Sequence, residues 1–351
     1  GVTVAQAVGE TLKTAEFDYE LPKEFIAQDP VEPRDSSRLM IVHRNTGEIE
    51  HRIFRDIESY LIPGDCLVIN DTKVIPARLK GRKAHTGGSV EIFLLSEVEH
   101  NLWEALVRPG RRLSPGTEVV FGDGRLVARI EKRLAGGERL VAFHYEGDFN
   151  QVLEELGEVP LPPYITKPLD TRDRYQTIYA RERGSVAAPT AGLHFTPELM
   201  RSLEKKGVTI VAVNLRVGLD TFRPVREEVV EDHKMHSEPY SVSSDVAAVI
   251  NEAKGHGNRV IAVGTTSVRV LETAGKAGRV AAGTDSTKLF IYPGYDFKII
   301  DAMITNFHLP NSTLLMMVAA FGGQGLIMKA YQEAIAEHYR FYSFGDAMFI
   351  V

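Results

Sequence analysis

The sequence predicts an α/β fold: a larger, discontinuous α/β domain with an inserted small antiparallel β-barrel domain. Between residues 66 and 145, short strand-like runs follow one another with no helical pattern among them. From about residue 197 to 321, strand-like and helix-like segments alternate instead. The two patterns meet at Pro160-Leu161-Pro162-Pro163, where proline density interrupts regular structure. With 351 residues, 44% hydrophobic and 25% charged, the chain has the length for two domains and an ordinary globular composition. The expected division is 1–62 plus 159–351 for the α/β domain and 63–158 for the barrel.

After the turn Pro63-Gly64-Asp65, the strand-like runs are Cys66–Asn70, Ala77–Arg82, Ser89–Leu95, Leu102–Val107, Glu118–Phe121, Leu126–Lys132 and Arg139–Tyr145. Gly87-Gly88, Pro109-Gly110, Gly122-Asp123-Gly124 and Gly136-Gly137 supply turns between them, so they read as one antiparallel barrel. Beyond it, Thr196, Pro197 and Glu198 are a cap, a first-turn proline and an acid suited to a helix start. That helix is expected to run to Lys206, stop at Gly207 and feed a strand over Val208–Asn214. Next come a helix Asp245–Lys254 capped by Ser244, a strand Val260–Val263, and a turn Gly264–Ser267 into a helix Val268–Ala274. A strand Leu289–Tyr292 and a buried helix Thr313–Phe321, stopped by Gly322-Gly323, complete the series. Such alternation predicts a mostly parallel sheet flanked by helices.

Composition excludes several classes. The single cysteine, Cys66, rules out a disulfide framework and any multi-cysteine metal site. Its neighbours Leu67-Val68-Ile69 predict a buried, inert thiol. The longest uninterrupted apolar run, Leu314–Phe321, is far too short to span a bilayer. No basic-then-apolar leader opens the sequence, so cytoplasmic residence is expected. The net charge is −6, yet residues 66–147 hold 13 Lys and Arg against 10 Asp and Glu. Two clusters stand there, Arg78-Leu79-Lys80-Gly81-Arg82-Lys83 and Arg108-Pro109-Gly110-Arg111-Arg112. They can pair with phosphates or form a solvated face.

Ligands of open α/β sheets bind where loops leave the carboxyl ends of strands, and three loops qualify. The first, Gly184–Phe195, is small and nearly uncharged, carries Thr190 and His194, and precedes a helix start. The second holds Thr265, Thr266 and Ser267, whose hydroxyls and amides form an anion cradle or a simple cap. Arg269 follows in the first turn, free for a carboxylate or committed to an ion pair. In the third, strand alternation presents Asn306 and His308 together, either to a ligand or to each other. Asp71 and Arg78 are ligand contacts or a structural pair. His233 and His236 are spaced to share a helix face, but one pair is a weak metal signal and no metal is expected.

These loops also carry a resemblance. Gly184–Thr196 stands in order with Phe17-Asp18-Tyr19-Glu20-Leu21-Pro22, Asn70-Asp71-Thr72-Lys73-Val74-Ile75-Pro76-Ala77-Arg78 and Gly264-Thr265-Thr266-Ser267-Val268-Arg269. Ile304-Thr305-Asn306-Phe307-His308-Leu309-Pro310 and Tyr339–Met348 complete the set. Over nearly its whole length the chain resembles the S-adenosylmethionine:tRNA ribosyltransferase-isomerases of queuosine biosynthesis. The resemblance implies a β-barrel within an α/β domain, and S-adenosylmethionine consumed as a substrate with no cofactor and no metal. It implies a tRNA partner carrying 7-aminomethyl-7-deazaguanine at the wobble position, converted to epoxyqueuosine-tRNA with release of adenine and methionine. No membrane and no obligate protein partner are implied.

The sulfonium of that donor acidifies the ribose C5′ protons, so a general base, and an acid near the purine, are required. His194 is assigned as base or acid, His308 as assisting adenine departure, and Thr190 and Asn306 as positioning the nucleosyl part. Thr265, Thr266, Ser267, Arg269 and Asp71 are expected around the donor, with Arg269 at its carboxylate. Arg78, Arg82, Arg108 and Arg111 are expected at tRNA phosphates, and the Tyr339–Tyr342 run either stacks bases or packs inside. The family's His-Val-Gly-x-Gly-Thr-Phe stretch reads Arg216-Val217-Gly218-Leu219-Asp220-Thr221-Phe222 here. Arg216 cannot be a neutral base, and Asp220 restricts backbone approach where a glycine is usual. A methyltransferase and a non-catalytic tRNA-binding protein are the competing classes. Against the first, no Gly-x-Gly-x-x-Gly loop follows an early strand; the second leaves the polar loops without a purpose.

Overall fold

The computed structural model describes residues 11–110, 113–162, 165–166, 172–185, 187–218 and 224–351. The chain forms two compact units, one of Gly1–Thr72, Pro162–Glu182 and Ala188–Val351, the other of Lys73–Leu161 and Arg183–Ala187.

The larger unit is built on a nine-stranded sheet. Its order is Gly283–Thr287, Glu238–Val242, Thr209–Leu215, Cys66–Asn70, Val260–Val263, Ala302–Asn306, Ala347–Ile350, Arg38–Val42 and Ile49–Ile53. The four strands from Thr209–Leu215 to Ala302–Asn306 are mutually parallel. Beyond them antiparallel pairs enter on both sides, although Ala347–Ile350 and Arg38–Val42 pair parallel, so the sheet is mixed and the expected parallel arrangement describes its centre. Cys66–Asn70 lies inside this sheet and not in the barrel, which moves the start of the smaller unit from 63 to Lys73. All five of its residues are buried. A short apolar run flanked by turns reads the same in a barrel and in the centre of a parallel sheet.

Local chemistry accounts for the helices. Thr196 Oγ1 accepts the Leu199 N–H at 3.1 Å, Pro197 occupies the first turn, and Gly207 ends the helix Pro197–Lys206 at φ 98°. The helix Ser244–Gly255 is capped by Ser243, whose hydroxyl accepts from Val246 at 3.2 Å, one residue before the serine expected. The helix Thr265–Ala274 opens earlier than expected, because Gly264 at φ 88° turns the chain directly out of its strand. No strand forms at Leu289–Tyr292; the edge strand is the exposed, polar Gly283–Thr287, which carries no hydrophobic signal. Ser312 caps Thr313–Gly322, and Gly323 at φ 94° makes a corner into a further helix, Gln324–Ala336. Among the described residues no single helix is long and apolar enough to cross a membrane.

Phe54, Phe195, Leu199 and Leu203 pack on one face of the sheet against Leu67, Ile69, Ile304 and Phe349. A second, aromatic cluster joins Tyr19, Phe307, Tyr331, Tyr339 and Phe341 through edge-to-face and tilted contacts. Packing therefore explains the Tyr339–Tyr342 run, with Tyr339 and Phe341 fully buried. Cys66 is buried as expected, and desolvation pushes its thiol up to about 11.

In the smaller unit, Arg78–Lys83, Ser89–Glu99, Leu102–Arg108, Arg139–Tyr145, Leu126–Arg133 and Glu118–Phe121 pair antiparallel in that order. The last pairs back onto the first, closing a six-stranded barrel. Alternate side chains fill it, among them Leu79, Ile92, Leu94, Phe121, Ile130 and Val141. Gly81 has no room for a side chain: a Cβ there would lie 2.6 Å from the Phe121 ring.

Candidate active site

The parallel strands Cys66–Asn70, Val260–Val263 and Ala302–Asn306 deliver their carboxyl ends to one edge of the large sheet. Above it lies an open pocket. Ala188–Ala191, Gly264–Thr266 and Thr305–Leu309 line it, with Val217, Ser312, Leu314, Tyr342 and Ser343 completing the wall. The three loops singled out in the sequence thus converge.

Thr190 begins the 3-10 turn Thr190–His194 and lines the pocket, half-exposed. His194 ends the same turn but does not line it. It is buried, stacks on Phe54 at 4.9 Å, and has both ring nitrogens engaged: Nδ1 with Ser37 Oγ at 2.7 Å and Nε2 with Asn306 Oδ1 at 3.1 Å. Desolvation lowers its pKa to about 4; the Asn306 hydrogen bond opposes this, while Arg340 and Arg34 lower it further. Asn306 is committed as well, its Nδ2 donating to the carbonyls of Tyr342 at 2.8 Å and Ser343 at 3.1 Å. Its partner is therefore His194 and not His308.

His308 is half-buried, lines the pocket, and pairs Nε2 with Thr305 Oγ1 at 2.6 Å. Thr305 Oγ1 also reaches the Asn306 carbonyl at 3.3 Å, so its one proton serves either that carbonyl or the imidazole. The other ring nitrogen, Nδ1, has no hydrogen-bond partner among the described residues. The His308 amide donates to Tyr331 Oη at 2.8 Å and its carbonyl accepts from Tyr19, which fixes the loop. Desolvation lowers the His308 pKa to about 3, so the ring is neutral near pH 7. Among the described residues lining the pocket, only His308 and Tyr342 are ionisable, and no carboxylate is present. Burial raises the Tyr342 phenol, which stays protonated.

The helix Thr265–Ala274 points its amino end at the pocket through Gly264, Thr265 and Thr266. Its first N–H groups lack intrahelical acceptors and favour an anionic or polar ligand. Asn70, at the end of its strand, donates to Thr266 Oγ1 at 3.1 Å, which leaves the Thr266 proton for a ligand. Gly264 is required by its backbone and not by crowding, since a Cβ there would lie 3.5 Å from the nearest atom, Ala191 Cβ. Ser267 is buried outside the lining, its hydroxyl without a partner among the described residues.

Other expected contacts lie elsewhere. Arg269 is buried in an ion pair with Glu238, and its Nε donates to the Leu289 carbonyl at 3.2 Å; it does not reach the pocket. Asp71 accepts from Asn214 Nδ2 at 3.1 Å and is not among the lining residues. Arg216 is exposed at the end of its strand, while Asp220 lies outside the described residues. His233 and His236 share no helix: His233 follows a short 3-10 turn and pairs with Glu227 at 3.0 Å. The described residues hold no group of three metal-ligating side chains.

On the barrel, Arg78 forms an ion pair with Glu91 at 2.7 Å, whereas Arg82 and Arg108 are exposed. The Arg78 and Arg108 guanidiniums stand 5.7 Å and 5.8 Å from the centre of the Phe93 ring. Arg111 lies outside the described residues. Ser37, Asn70, Thr305 and Tyr342 were not legible as site residues. Asn70 and Thr305, each inside an ordered motif beside a residue that was singled out, and Tyr342, in the aromatic tail, carried some signal; Ser37 carried none.

Residues 14–350 match the family described as queuosine biosynthesis protein. The chain is 58% identical to the S-adenosylmethionine:tRNA ribosyltransferase-isomerase of Symbiobacterium thermophilum, over 97% of this chain and 100% of that protein. Identity to the enzyme of the same name from Halothermothrix orenii is 57%, with the same coverage. The crystal structure of S-adenosylmethionine tRNA ribosyltransferase from Thermotoga maritima is 45% identical and aligns with a TM-score of 0.56, covering 96% of this chain and 100% of that one.

Proposed function

The chain belongs to the queuosine biosynthesis protein family, and on that premise we propose how its pocket serves the family's reaction. The activity is that of an S-adenosylmethionine:tRNA ribosyltransferase-isomerase. S-adenosylmethionine lies in the pocket as a consumed substrate, with no further cofactor. The acceptor is the aminomethyl group of 7-aminomethyl-7-deazaguanine at the tRNA wobble position, and epoxyqueuosine-tRNA, adenine and methionine are the products. The setting is the cytoplasm.

One observation supports this assignment above the rest. Among its described lining residues the pocket has no carboxylate and a single neutral histidine, whose Nδ1 is unengaged, beside a helix amino end. Deprotonation next to a sulfonium needs an acceptor, and His308 supplies it through Nδ1 as the tautomer that donates from Nε2 to Thr305. The first amides of Thr265–Ala274 receive the donor's carboxylate, the role foreseen for Arg269. Thr190 and Thr266 offer hydroxyls to the nucleosyl part. On the barrel, Arg82 and Arg108 meet tRNA phosphates.

Product analysis tests the reading. Mixed with S-adenosylmethionine and tRNA bearing the aminomethyl base, the protein releases adenine and methionine while the tRNA gains the matching mass. His308→Ala keeps S-adenosylmethionine binding and loses adenine release. Formation of S-adenosylhomocysteine would instead identify a methyltransferase, and tRNA binding without consumption of S-adenosylmethionine a binding protein.

A further inference from the structure

The geometry points to His194 as a positioning residue: it holds Asn306, and through Asn306 the left-handed turn at Tyr342–Ser343 that walls the pocket. This rests on the reading of the pocket as the donor site. Hydrogen-bond bookkeeping fixes the tautomer. Asn306 Nδ2 faces two carbonyls, at 2.8 Å and 3.1 Å, which only accept, so that end of the amide must be the NH₂. The other end is then Oδ1, and the His194 Nε2 that meets it at 3.1 Å must carry a proton. In a neutral ring Nδ1 is left as acceptor, and Ser37 donates to it at 2.7 Å. Neither nitrogen retains a lone pair for a substrate.

What this arrangement holds is strained. Tyr342 sits at φ +72°, a conformation costly for a bulky residue and kept only where the surroundings enforce it. Its amide donates to the Phe307 carbonyl at 3.1 Å, and its carbonyl receives the Asn306 amide. A flipped Asn306 would set Oδ1 against both carbonyls and its NH₂ against His194 Nε2–H, so the carbonyls and His194 together select the unflipped state. His194 is itself fixed by Ser37 and by stacking on Phe54 at 4.9 Å. It thereby joins the loop bearing Thr190, the end of the strand bearing Asn306, and the Tyr342 turn, segments far apart in sequence.

The test combines spectroscopy with kinetics. Imidazole ¹⁵N spectra of the intact protein, with His194→Gln to assign the signal, should show a protonated Nε2 and an unprotonated Nδ1 that persist without titrating down to pH 5. A ring that titrates near pH 6.5, or carries its proton on Nδ1, would overturn the inference whether or not the enzyme turns over. Kinetically, His194→Gln keeps an amide able to donate to Asn306 and should stay close to wild type. His194→Ala should lose roughly 10- to 100-fold in kcat/KM, the cost of leaving a buried acceptor unpaired. Both should keep the wild-type pH profile. Equal, large losses in the two variants, or a missing limb in the profile, would restore His194 as acid or base. Should the alanine variant fail to fold, Asn306→Asp takes its place: it sets an oxygen against the two carbonyls and should lose turnover, and wild-type turnover would refute the clamp. Absence of adenine release by the wild-type protein counts against the donor-site reading alone, because the ¹⁵N result stands without it.

Discussion

His194 and Arg269 show how a residue type underdetermines its role. Each is of the kind that performs acid–base or anion chemistry, and each sits beside the pocket in sequence. Burial redirected both. Arg269 and Glu238 are 5% and 15% exposed in their side chains, and Glu238 also receives the Gly218 amide at 2.9 Å. A buried pair of this kind gains little over an apolar pair, but losing one partner strands the other charge. Arg269→Met should therefore lower unfolding free energy by about 3–5 kcal/mol in urea titrations. Unchanged stability with lost S-adenosylmethionine binding would return Arg269 to the donor's carboxylate. His308, by contrast, kept its place at the pocket because its ring projects from a loop and not from the core side of a turn.

At the level of elements, the barrel's first strand separates charges that the sequence runs together. Arg78, Lys80 and Arg82 alternate along Arg78–Lys83. Arg78 is neutralised by Glu91 at 2.7 Å and Lys80 meets Glu158 at 3.5 Å, while Arg82 has no ion pair among the described residues. Each phosphate contact contributes about one counterion to the salt dependence of tRNA binding. Arg82→Ala should thus flatten the slope of log K against log salt by about one, and Arg78→Ala by clearly less. Equal slopes for the two variants would remove Arg82 from the tRNA contact. Capped helices were the most legible elements: Pro197–Lys206 has the bounds its cap, proline and glycine foretell. The polar edge strand Gly283–Thr287 and the helix after Gly323 were missed, since one lacks an apolar pattern and the other follows a glycine pair that reads as a stop.

For the whole molecule, keeping one buried and one half-buried histidine neutral ties stability to pH. The pKa of His194 is lowered to about 4 and that of His308 to about 3, in both cases chiefly by desolvation, against about 6.5 in an unfolded chain. Below pH 6.5 the unfolded state takes up protons that the folded state refuses. The stability these groups confer is complete above about 6.5 and is lost as pH falls toward their folded values. Urea titrations should show unfolding free energy dropping from pH 7 to 5, and a flat or rising trend would contradict neutral, buried rings. Turn chemistry, hydrophobic patterning and ordered motifs are written locally, so the two-part architecture, the capped helices, the three loops of the pocket and the family are legible in the residues alone. Long-range packing alone places Cys66–Asn70 in the large sheet, pairs Arg269 with Glu238, and sets Asn306 against His194. Those outcomes turn on which distant groups share a dry interior, where every buried polar atom must find its partner, and no local pattern records that.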